Sequence, residues 1–417
     1  MRFASLTVAL LLAGTACSAA PQQTGQAGTE SPAPAPNPAQ KLPRNAPDYG
    51  VTNVPATTGH ANLPDSAPPF ALESIGTFAQ PFAMAFLPDG RLLVTEKGGQ
   101  LKARSPSGTV ARVMGVPEIA SGGQGGLLDV AVAPDFATSA TVYLTYAEPS
   151  VDGSALALAR ATLLDLEECA SGPCPSTLKN LKVIWRSGSN GIGGQFGANI
   201  LFAPDGKSLF LSSGERQRFA PAQDPDQALG KILHLTLDGK PAPGNPMADA
   251  GGVKAATWST GHRNPYGMVF TPDGRLWEEE MGPRGGDELN LILPGRNYGW
   301  PIVSNGDNYS GQPIPDHPSR PDLEAPKLWW NPVISPGGMM LYSGKMFPDW
   351  RGSLLIAALS GKAIVRVSLD GDKTTPAAQY AVGMRVRDLA QAPDGAVWLL
   401  EDGERGSGGR LFRLTPK

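Results

Sequence analysis

The sequence predicts an all-β fold, a six-bladed β-propeller, because one turn motif recurs, its copies are widely spaced, and Gly and Pro are abundant. The motif is Pro-Asp, usually followed by Gly, between two apolar runs. Proline sets φ, aspartate bonds its own backbone and glycine accepts a positive φ, so each copy predicts a tight hairpin turn. The six copies place their aspartates at Asp89, Asp135, Asp205, Asp273, Asp349 and Asp394.

The spacing between copies, about 45 to 75 residues, matches one four-stranded sheet with variable loops, so each copy predicts one blade. A β-sandwich would need fewer repeats at shorter spacing, and amphipathic helical periodicity is scarce. The chain has 417 residues, of which 51 are Gly, 41 are Pro and 41% are hydrophobic. This composition is typical of a turn-rich globular protein with a large core. Residues 70–417 are therefore predicted to form one propeller domain.

The N-terminal region predicts export. Residues 1–20 contain one Arg, an apolar run and then small residues, which is the pattern of a secretory signal peptide. The segment ending at Cys17 also has features of a bacterial lipoprotein signal. Residues 21–69 are rich in Ala, Pro, Gly and polar residues, and are predicted to be a flexible linker. We expect an exported protein, either periplasmic or anchored to the bacterial envelope by a lipid on Cys17.

The cysteines and the charge fit this compartment. Lipidation of Cys17 would leave Cys169 and Cys174 as an even pair, and a local disulfide is favoured over a metal site because no His or second Cys pair accompanies them. The formal net charge is −3, which argues against a nucleic-acid partner. The lipid on Cys17 is the only membrane contact that the sequence predicts.

Polar side chains precede several of the Pro-Asp turns, on loops that converge on the axis of a propeller. Three arginines on one rim suit a planar polyanionic ligand, because guanidinium groups bind carboxylates bidentately. The alternative is that each arginine caps the end of a blade through carbonyl groups and a neighbouring Asp. The candidate residues are Gln124, Gln195, Arg263, Asn264, Arg385 and Arg387.

Four ordered motifs can be compared with known families: GGQGGLLDVAVAPDF, GHRNPYGMVFTPDG, GPRGGDELN with GRNYGWP, and RVRDL with APDG. Together they resemble the soluble pyrroloquinoline-quinone (PQQ)-dependent sugar dehydrogenases, and within them the bacterial aldose sugar dehydrogenases, over roughly Phe78 to Thr415. The resemblance implies that PQQ lies over the central channel. It also implies that an aldose is oxidised at its anomeric carbon to a lactone by hydride transfer to the quinone, and that an external acceptor takes the electrons.

The same resemblance assigns residues to the cofactor and to Ca²⁺. It places Gln124, Arg263, Asn264, Arg385 and Arg387 in contact with PQQ. Gly282 and Pro283 match a loop whose backbone carbonyls hold a Ca²⁺ that also binds PQQ, in agreement with the preference of Ca²⁺ for hard oxygen ligands. Matches to a second, structural Ca²⁺ site are Glu288, the Tyr298 carbonyl and the region of Asp307. The alternative for Asp287 and Glu288 is a solvated pair in a loop.

Oxidation of the anomeric hydroxyl requires a base that takes its proton. In the family this base is a His, and the matching position here is Gln195, which accepts no proton at ordinary pH. The candidates that could replace it are a water molecule or a carboxylate, Asp287 or Glu280. We interpret His262 as a residue that packs inside a blade. The remaining histidines, read as structural or solvated, are His60, His234 and His317, and further departures from the family pattern are Asn199, Met281 and Ser360, the last with Lys362 close by.

Three functions remain open at this point. The first is a PQQ-dependent aldose dehydrogenase in which another group replaces the histidine base. The second is a propeller that binds PQQ or a sugar with little or no turnover. The third is a Ca²⁺-dependent lactonase on a similar propeller, which would need carboxylate and Asn side chains on a central metal, whereas the loops supply mostly Gln and Arg.

Overall fold

The computed structural model describes residues 42–165, 176–188 and 191–417, and the regular secondary structure of these residues is almost entirely β-strand. One α-helical turn, Phe136–Ser139, and five 3-10 turns interrupt the strands of this described part: Ala220–Ala222, Ala248–Ala250, Lys254–Ala256, His317–Ser319 and Pro348–Trp350. None of the described helices is long and apolar enough to cross a membrane. The predicted signal, Cys17, and the pair Cys169 and Cys174 lie outside the described residues.

Six antiparallel four-stranded sheets form the blades, each starting at its innermost strand. The strands of blade 1 are Pro81–Phe86, Leu92–Glu96, Gln100–Arg104 and Val110–Val113. Those of blade 2 are Leu127–Val132, Thr141–Ser150, Gly153–Asp165 and Ser176–Arg186. Those of blade 3 are Gly197–Phe202, Ser208–Ser213, Lys231–Thr236 and Thr257–Thr260.

The second half of the chain repeats this arrangement. The strands of blade 4 are Pro265–Phe270, Leu276–Glu280, Asp287–Ile292 and Leu328–Trp330. Blade 5 contains Pro336–Leu341, Leu354–Ala358, Ala363–Asp370 and Lys373–Ala381, with Asp65–Ser66 added in parallel at its outer edge. Blade 6 contains Val386–Gln391, Val397–Glu401, Arg410–Pro416 and Phe70–Thr77. A small two-stranded sheet between blade 4 strands pairs Arg284–Gly285 with Gly306–Asp307.

The innermost strands form a closed ring, because each contacts the innermost strand of the next blade and that of blade 6 returns to blade 1. Blade 6 closes the ring through backbone hydrogen bonds, since its outermost strand comes from the N-terminal side and pairs with the C-terminal strand, Phe70 opposite Pro416. Neighbouring blades pack face to face, so middle strands such as Leu354–Ala358 are buried along their whole length. The predicted all-β, six-bladed propeller is confirmed.

Each Pro-Asp motif lies between the first and second strand of its blade, and the predicted tight turn is present in blades 1, 3, 4 and 6. In blades 2 and 5 the connection is longer and contains the helical turns Phe136–Ser139 and Pro348–Trp350. In blade 1 the Asp89 carboxylate accepts the N–H of Arg91 at 3.0 Å, and in blade 3 Asp205 accepts that of Lys207 at 3.0 Å. These bonds within the turn explain why aspartate recurs at this position.

Polar residues at the third position of three innermost strands tie neighbouring blades together near the axis. Asp129 Oδ2 of blade 2 accepts the N–H of Ile200 in blade 3 at 2.7 Å, and Asp388 Oδ2 of blade 6 accepts that of Met84 in blade 1 at 2.9 Å. Asn199 does the same toward the innermost strand of blade 4, at 3.0 Å. The innermost strand of every blade has a register shift at this level, which frees the N–H groups for these bonds.

Residues 42–69 differ from the predicted flexible linker, because they lie on the propeller. The Ala46 N–H donates to Asn308 Oδ1 at 2.7 Å and the Ala56 N–H to Asp316 Oδ2 at 2.8 Å. Further along, Asp65–Ser66 joins blade 5 as a parallel edge strand. The segment is held mainly by backbone hydrogen bonds, and a composition poor in large apolar side chains gives no sign of these.

Candidate active site

A pocket of about 780 Å³, including its open mouth, lies at one end of the propeller axis. Most of its walls come from the loops that lead into the innermost strands, from the first residues of those strands and from the loops that follow the second strands. Tyr309 comes from the loop after the third strand of blade 4. The Pro-Asp turns join the other ends of the same strands, so the pocket is on the opposite face. Its lining includes Phe82, Lys97, Gln124, Arg263, Asn264, Tyr266, Gly282, Pro283, Tyr309, Arg385, Arg387, Glu404 and Arg405.

Most of the charge in this pocket is positive. Within the described part of the chain, five cationic side chains line it, Lys97 and four arginines, against one carboxylate, that of Glu404. Lys97 donates to the Glu404 carboxylate and, at 3.0 Å, to the Gly123 carbonyl. The remaining positive charge suits a ligand with several negative groups.

The two arginines of blade 6 share one buried partner. Arg385 Nε donates to Asp402 Oδ2 at 2.7 Å and Arg387 Nη2 to Asp402 Oδ1 at 3.3 Å. The Nε and Nη1 groups of Arg387 have no partner although they are buried, and its guanidinium lies 5.0 Å from the Phe82 ring centre and 5.8 Å from that of Tyr266. Asp402 therefore orients the arginines, while two N–H groups of Arg387 remain available to a ligand.

Arg263 makes a different set of contacts. Its Nη1 donates to the carbonyls of Met281 at 2.8 Å and Gly282 at 2.7 Å, and its Nη2 donates to the Tyr309 hydroxyl at 2.9 Å. The backbone N–H of Arg263 donates to the Glu280 carboxylate at 2.5 Å. Arg263 thus caps carbonyl groups, as the alternative interpretation stated, and also lines the pocket.

Gln124, Asn264 and Tyr266 form one polar group on the pocket wall. The Tyr266 hydroxyl donates to Gln124 Oε1 at 2.9 Å, and Asn264 Nδ2 donates to the same oxygen at 3.4 Å. Asn264 Oδ1 accepts the N–H of Gly197 from blade 3 at 3.2 Å. The structure therefore brings the five residues predicted to contact PQQ, Gln124, Arg263, Asn264, Arg385 and Arg387, into one pocket.

Asp287 holds the loop at Gly282 and Pro283 in place. Its Oδ1 accepts the N–H of Gly282 at 2.8 Å and its Oδ2 accepts that of Ser335 at 2.6 Å. Burial raises the pKa of Asp287 to about 7, although the backbone N–H groups lower it. Asp287 is buried and does not line the pocket, so it differs from the solvated loop residue that the sequence left open.

The same loop fits a hard cation. The carbonyls of Met281 and Gly282 converge on the positively charged Arg263 guanidinium, which shows that carbonyl oxygens here face a cation. Pro283 lines the pocket beside them. Carbonyl donors of this kind are the ligands that Ca²⁺ prefers.

Gln195, the position of the family histidine, is buried and is not among the residues that line the pocket. Its Oε1 has no hydrogen-bond partner. Its carbonyl accepts the N–H of Arg216 at 3.2 Å, and the Arg216 guanidinium donates to the carbonyls of Gly191 and Gly193. Glu280, the other proposed base, is also buried, and its Oε2 accepts hydrogen bonds from the backbone N–H groups of Arg263 and Asn264.

Glu288 and Tyr298, predicted for a second Ca²⁺ site, are both buried in blade 4 and the loop that follows its third strand. Glu288 Oε1 lies 3.1 Å from His317 Nε2, and Glu288 Oε2 accepts from Asn290 Nδ2 at 3.2 Å. Asp307 belongs to the small sheet opposite Arg284. Glu288 is therefore a buried carboxylate with partners, unlike the solvated alternative.

Three charged residues that line the pocket were not predicted from the sequence: Lys97, Glu404 and Arg405. Lys97 directly follows the second strand of blade 1, and Glu404 and Arg405 lie three and four residues beyond that of blade 6. The loop of Gly282 and Pro283 follows the second strand of blade 4 in the same way. This shared position is a signal that sequence reasoning could have used in every blade.

Comparisons of this chain with known proteins all point to the same family. The model of the glucose/sorbosone dehydrogenase family matches residues 78–413. The chain is 38% identical over 347 residues to aldose sugar dehydrogenase YliI of Escherichia coli K12, which covers 81% of this chain and 90% of that protein.

Solved structures agree with this match. The apo-form of the soluble aldose sugar dehydrogenase from Escherichia coli superposes with a TM-score of 0.75 at 35% identity, covering 84% of this chain and 100% of that one. The PQQ-bound form of aldose sugar dehydrogenase from Streptomyces coelicolor gives a TM-score of 0.67 at 27% identity, covering 84% and 99%.

Proposed function

Because the chain belongs to the glucose/sorbosone dehydrogenase family, we propose that it oxidises an aldose at the anomeric carbon to a lactone with PQQ as cofactor. The observation that carries this proposal is the pocket itself: Arg263, Arg385 and Arg387 face one space, and two buried N–H groups of Arg387 have no partner. PQQ is planar and carries three carboxylates, which match guanidinium donors and the aromatic rings of Phe82 and Tyr266.

The proposal includes Ca²⁺ at the loop of Gly282 and Pro283. Arg263 now binds the carbonyls of Met281 and Gly282, and release of this contact would free both the carbonyl oxygens and the guanidinium. Asp287 fixes the loop from behind through the Gly282 N–H. The bound cofactor supplies the acceptor for the hydride of the sugar, and an external acceptor then takes the electrons.

We propose that Glu404 is the base that accepts the proton of the anomeric hydroxyl. Among the described residues lining the pocket, Glu404 has the only side chain that is an ordinary proton acceptor at neutral pH, since the other ionisable groups are Lys, Arg and Tyr. Its ion pair with Lys97 holds the carboxylate in the pocket. Asp287 and Glu280, the carboxylates that the sequence suggested, are buried and bound to backbone N–H groups.

The test is reconstitution of the protein with PQQ and Ca²⁺, followed by dye reduction over a panel of aldoses. We expect turnover with at least one aldose and no turnover without PQQ. Glu404→Gln should lower kcat by about 10²- to 10⁴-fold, the contribution of a positioned base, and leave PQQ affinity nearly unchanged. Glu401→Gln is the control, because Glu401 pairs with Arg410 and does not line the pocket.

Two outcomes would replace these assignments. Binding of PQQ without turnover of any aldose would favour the binding-protein alternative. If Glu404→Gln retains full turnover and Gln195→His raises turnover by about 10²-fold or more, Glu404 is not the base, and position 195, whose wild-type side chain accepts no proton, is the place for a base in this site. The predicted signal at residues 1–20 supports a location for this reaction in the bacterial envelope.

A further inference from the structure

Blade 4 contains a buried polar cluster that the pocket does not use. Its members are His262, Glu278, Glu280 and Asn290, all of them almost completely inaccessible to solvent. One nitrogen or oxygen atom from each of His262, Glu278 and Glu280 lies within 4.8 Å of the other two. We propose that this cluster, the blade 4 cluster, is a binding site for one divalent first-row transition-metal ion such as Mn²⁺ or Zn²⁺.

The hydrogen bonds of Asn290 are the first sign that a cation is needed. Its Nδ2 faces three carboxylates, those of Glu278 at 3.1 Å, Glu288 at 3.2 Å and Glu280 at 3.4 Å. An amide has two N–H hydrogens, so it cannot satisfy three acceptors fully. Its Oδ1 has no partner at all. A half-turn of the amide would direct this oxygen at the carboxylates, which is favourable only with a cation between them.

The second sign is an unpaired oxygen on Glu278. This side chain is completely buried, and its Oε1 has no hydrogen-bond partner. No Lys or Arg forms an ion pair with Glu278 or Glu280 among the residues that the structure describes. Buried carboxylates without such a partner are costly unless they bind a metal or a proton.

His262 is oriented as a metal ligand would be. Its ring stacks on Tyr298, its Nε2 lies 2.8 Å from Ser259 Oγ, and its Nδ1 lies 3.2 Å from Glu280 Oε1. With Nε2–H donating to the Ser259 hydroxyl, the Nδ1 lone pair points into the cluster, and such a second hydrogen bond is what fixes the tautomer of metal-binding histidines.

The ligand set selects the class of metal. One imidazole nitrogen with carboxylate and amide oxygens suits Mn²⁺ or Zn²⁺ better than Ca²⁺, which prefers oxygen ligands alone. At metal–ligand distances of about 2.0 to 2.2 Å, neighbouring ligand atoms are about 3.0 to 3.4 Å apart, and His262 Nδ1 and Glu280 Oε1 already lie 3.2 Å apart. Two glutamates would neutralise the divalent charge.

The blade 4 cluster is distinct from the Ca²⁺ sites that the family resemblance implies. The loop of Gly282 and Pro283 offers backbone carbonyls at the pocket, and Glu288 is engaged on its other side by His317. The metal would act on the pocket indirectly, because Glu280 Oε2 accepts the backbone N–H groups of Arg263 and Asn264. It would fix the loop that presents both residues.

The experiment measures metal rather than activity, so its result does not depend on the proposed function. Protein expressed in medium with Mn²⁺ and Zn²⁺ is dialysed against buffer containing Ca²⁺ and analysed by elemental mass spectrometry. We expect close to one transition-metal ion per chain in the wild type, and a loss of most of it in Glu278→Gln. Glu279→Gln is the matched control: it is the same change one residue along, on the opposite face of the strand, and should retain the metal.

A second measurement keeps the test valid if Glu278→Gln does not fold. Wild-type protein is unfolded, stripped of metal and refolded in Ca²⁺ with or without Co²⁺, whose visible absorption reports nitrogen and oxygen ligation. We expect one Co²⁺ per chain and a higher unfolding temperature in its presence. A wild-type protein that carries no transition metal and refolds to the same unfolding temperature without it would overturn the proposal and leave Glu278 as a protonated buried acid.

Discussion

Arg387 shows how one side chain serves both structure and binding. Its Nη2 is held by Asp402, its guanidinium lies near two aromatic rings, and its Nε and Nη1 have no partner. A buried N–H without a partner is unfavourable, so a ligand carboxylate or quinone oxygen at this place would be strongly bound. Substitution of Arg387 is therefore the most direct test of cofactor binding in the pocket.

We expect Arg387→Ala to weaken PQQ binding by about 1.5 to 3 kcal/mol, the usual range for the loss of a hydrogen bond to a charged group. The measurement is a PQQ titration in the presence of Ca²⁺. Arg410→Ala is the control, because Arg410 pairs with Glu401 near the same blade end and does not line the pocket. Equal PQQ affinity in Arg387→Ala and wild type would contradict the assignment.

Site residues that match a family motif could be predicted from the sequence. Those whose position in the pocket depends on the local backbone and on hydrogen bonds could not. Gln124, Asn264 and the three arginines meet in the pocket as expected. Asp287 and Gln195 are buried instead, because a loop backbone takes the carboxylate of the first and Arg216 anchors the loop of the second. Sequence position alone shows neither the direction of a side chain nor its hydrogen-bond partners.

The innermost strands carry two acids that couple stability to pH. Asp129 and Asp388 accept backbone N–H groups of the next blade, and burial raises the pKa of each to about 7. Asn199 makes the same kind of bond at the corresponding position of blade 3 with an amide that does not titrate. The same hydrogen bond to the next blade is thus accepted by a titrating carboxylate in two blades and by a neutral amide in a third.

We expect Asp388→Asn to flatten the dependence of stability on pH. An unfolded Asp titrates near pH 3.9, so the folded state binds this proton more tightly. The stability that this proton adds is complete below about pH 4 and is lost as pH rises to about 7. Denaturant unfolding at several pH values should therefore show a shallower decline between these limits for Asp388→Asn than for wild type.

Asp394→Asn is the control for this experiment. Asp394 lies at a surface turn, where hydrogen bonds from Arg413 and the backbone outweigh partial burial and lower its pKa. Its stabilising effect is present above the unfolded pKa and disappears as pH falls. Parallel pH curves for Asp388→Asn and wild type would show that Asp388 does not hold a proton in the folded state.

Strands were easier to predict than the segment that precedes them. Each Pro-Asp turn carries its own chemical signal, so the six hairpins could be located one by one. Residues 42–69 have no such signal, because their contacts use backbone N–H groups and side chains such as Asn308 and Asp316 far along the chain. Composition measures the apolar area that a segment could bury, but not the acceptors that another loop offers to it.

At the scale of the whole molecule, ring closure depends on one pair of strands. We expect a chain that ends at Gly409 to lose cooperative unfolding, because the strand Phe70–Thr77 then has no partner and blade 6 keeps only two strands. Circular dichroism and calorimetry provide the measurement. A chain that begins at Pro68 is the control and should unfold cooperatively at a somewhat lower temperature, since it keeps four strands in every blade and lacks only the contacts of the preceding segment, among them those of the buried Ala61 and of the edge strand Asp65–Ser66. Cooperative unfolding of the chain ending at Gly409 would show that the ring closes without this pair.

The pairing of Phe70–Thr77 with Arg410–Pro416 also sets an order of events during synthesis. The first of these strands is made early and waits for almost the entire chain before its partner exists, whereas the hairpins of the other blades have neighbours that follow within a few residues. Contacts between such distant segments form late in folding. The pocket takes charged side chains from distant parts of the chain, Lys97 in blade 1, Arg263 in blade 4 and Arg387 in blade 6. These residues cannot come together until most of the chain has been synthesised. The pocket comes into existence only when the last strand is added.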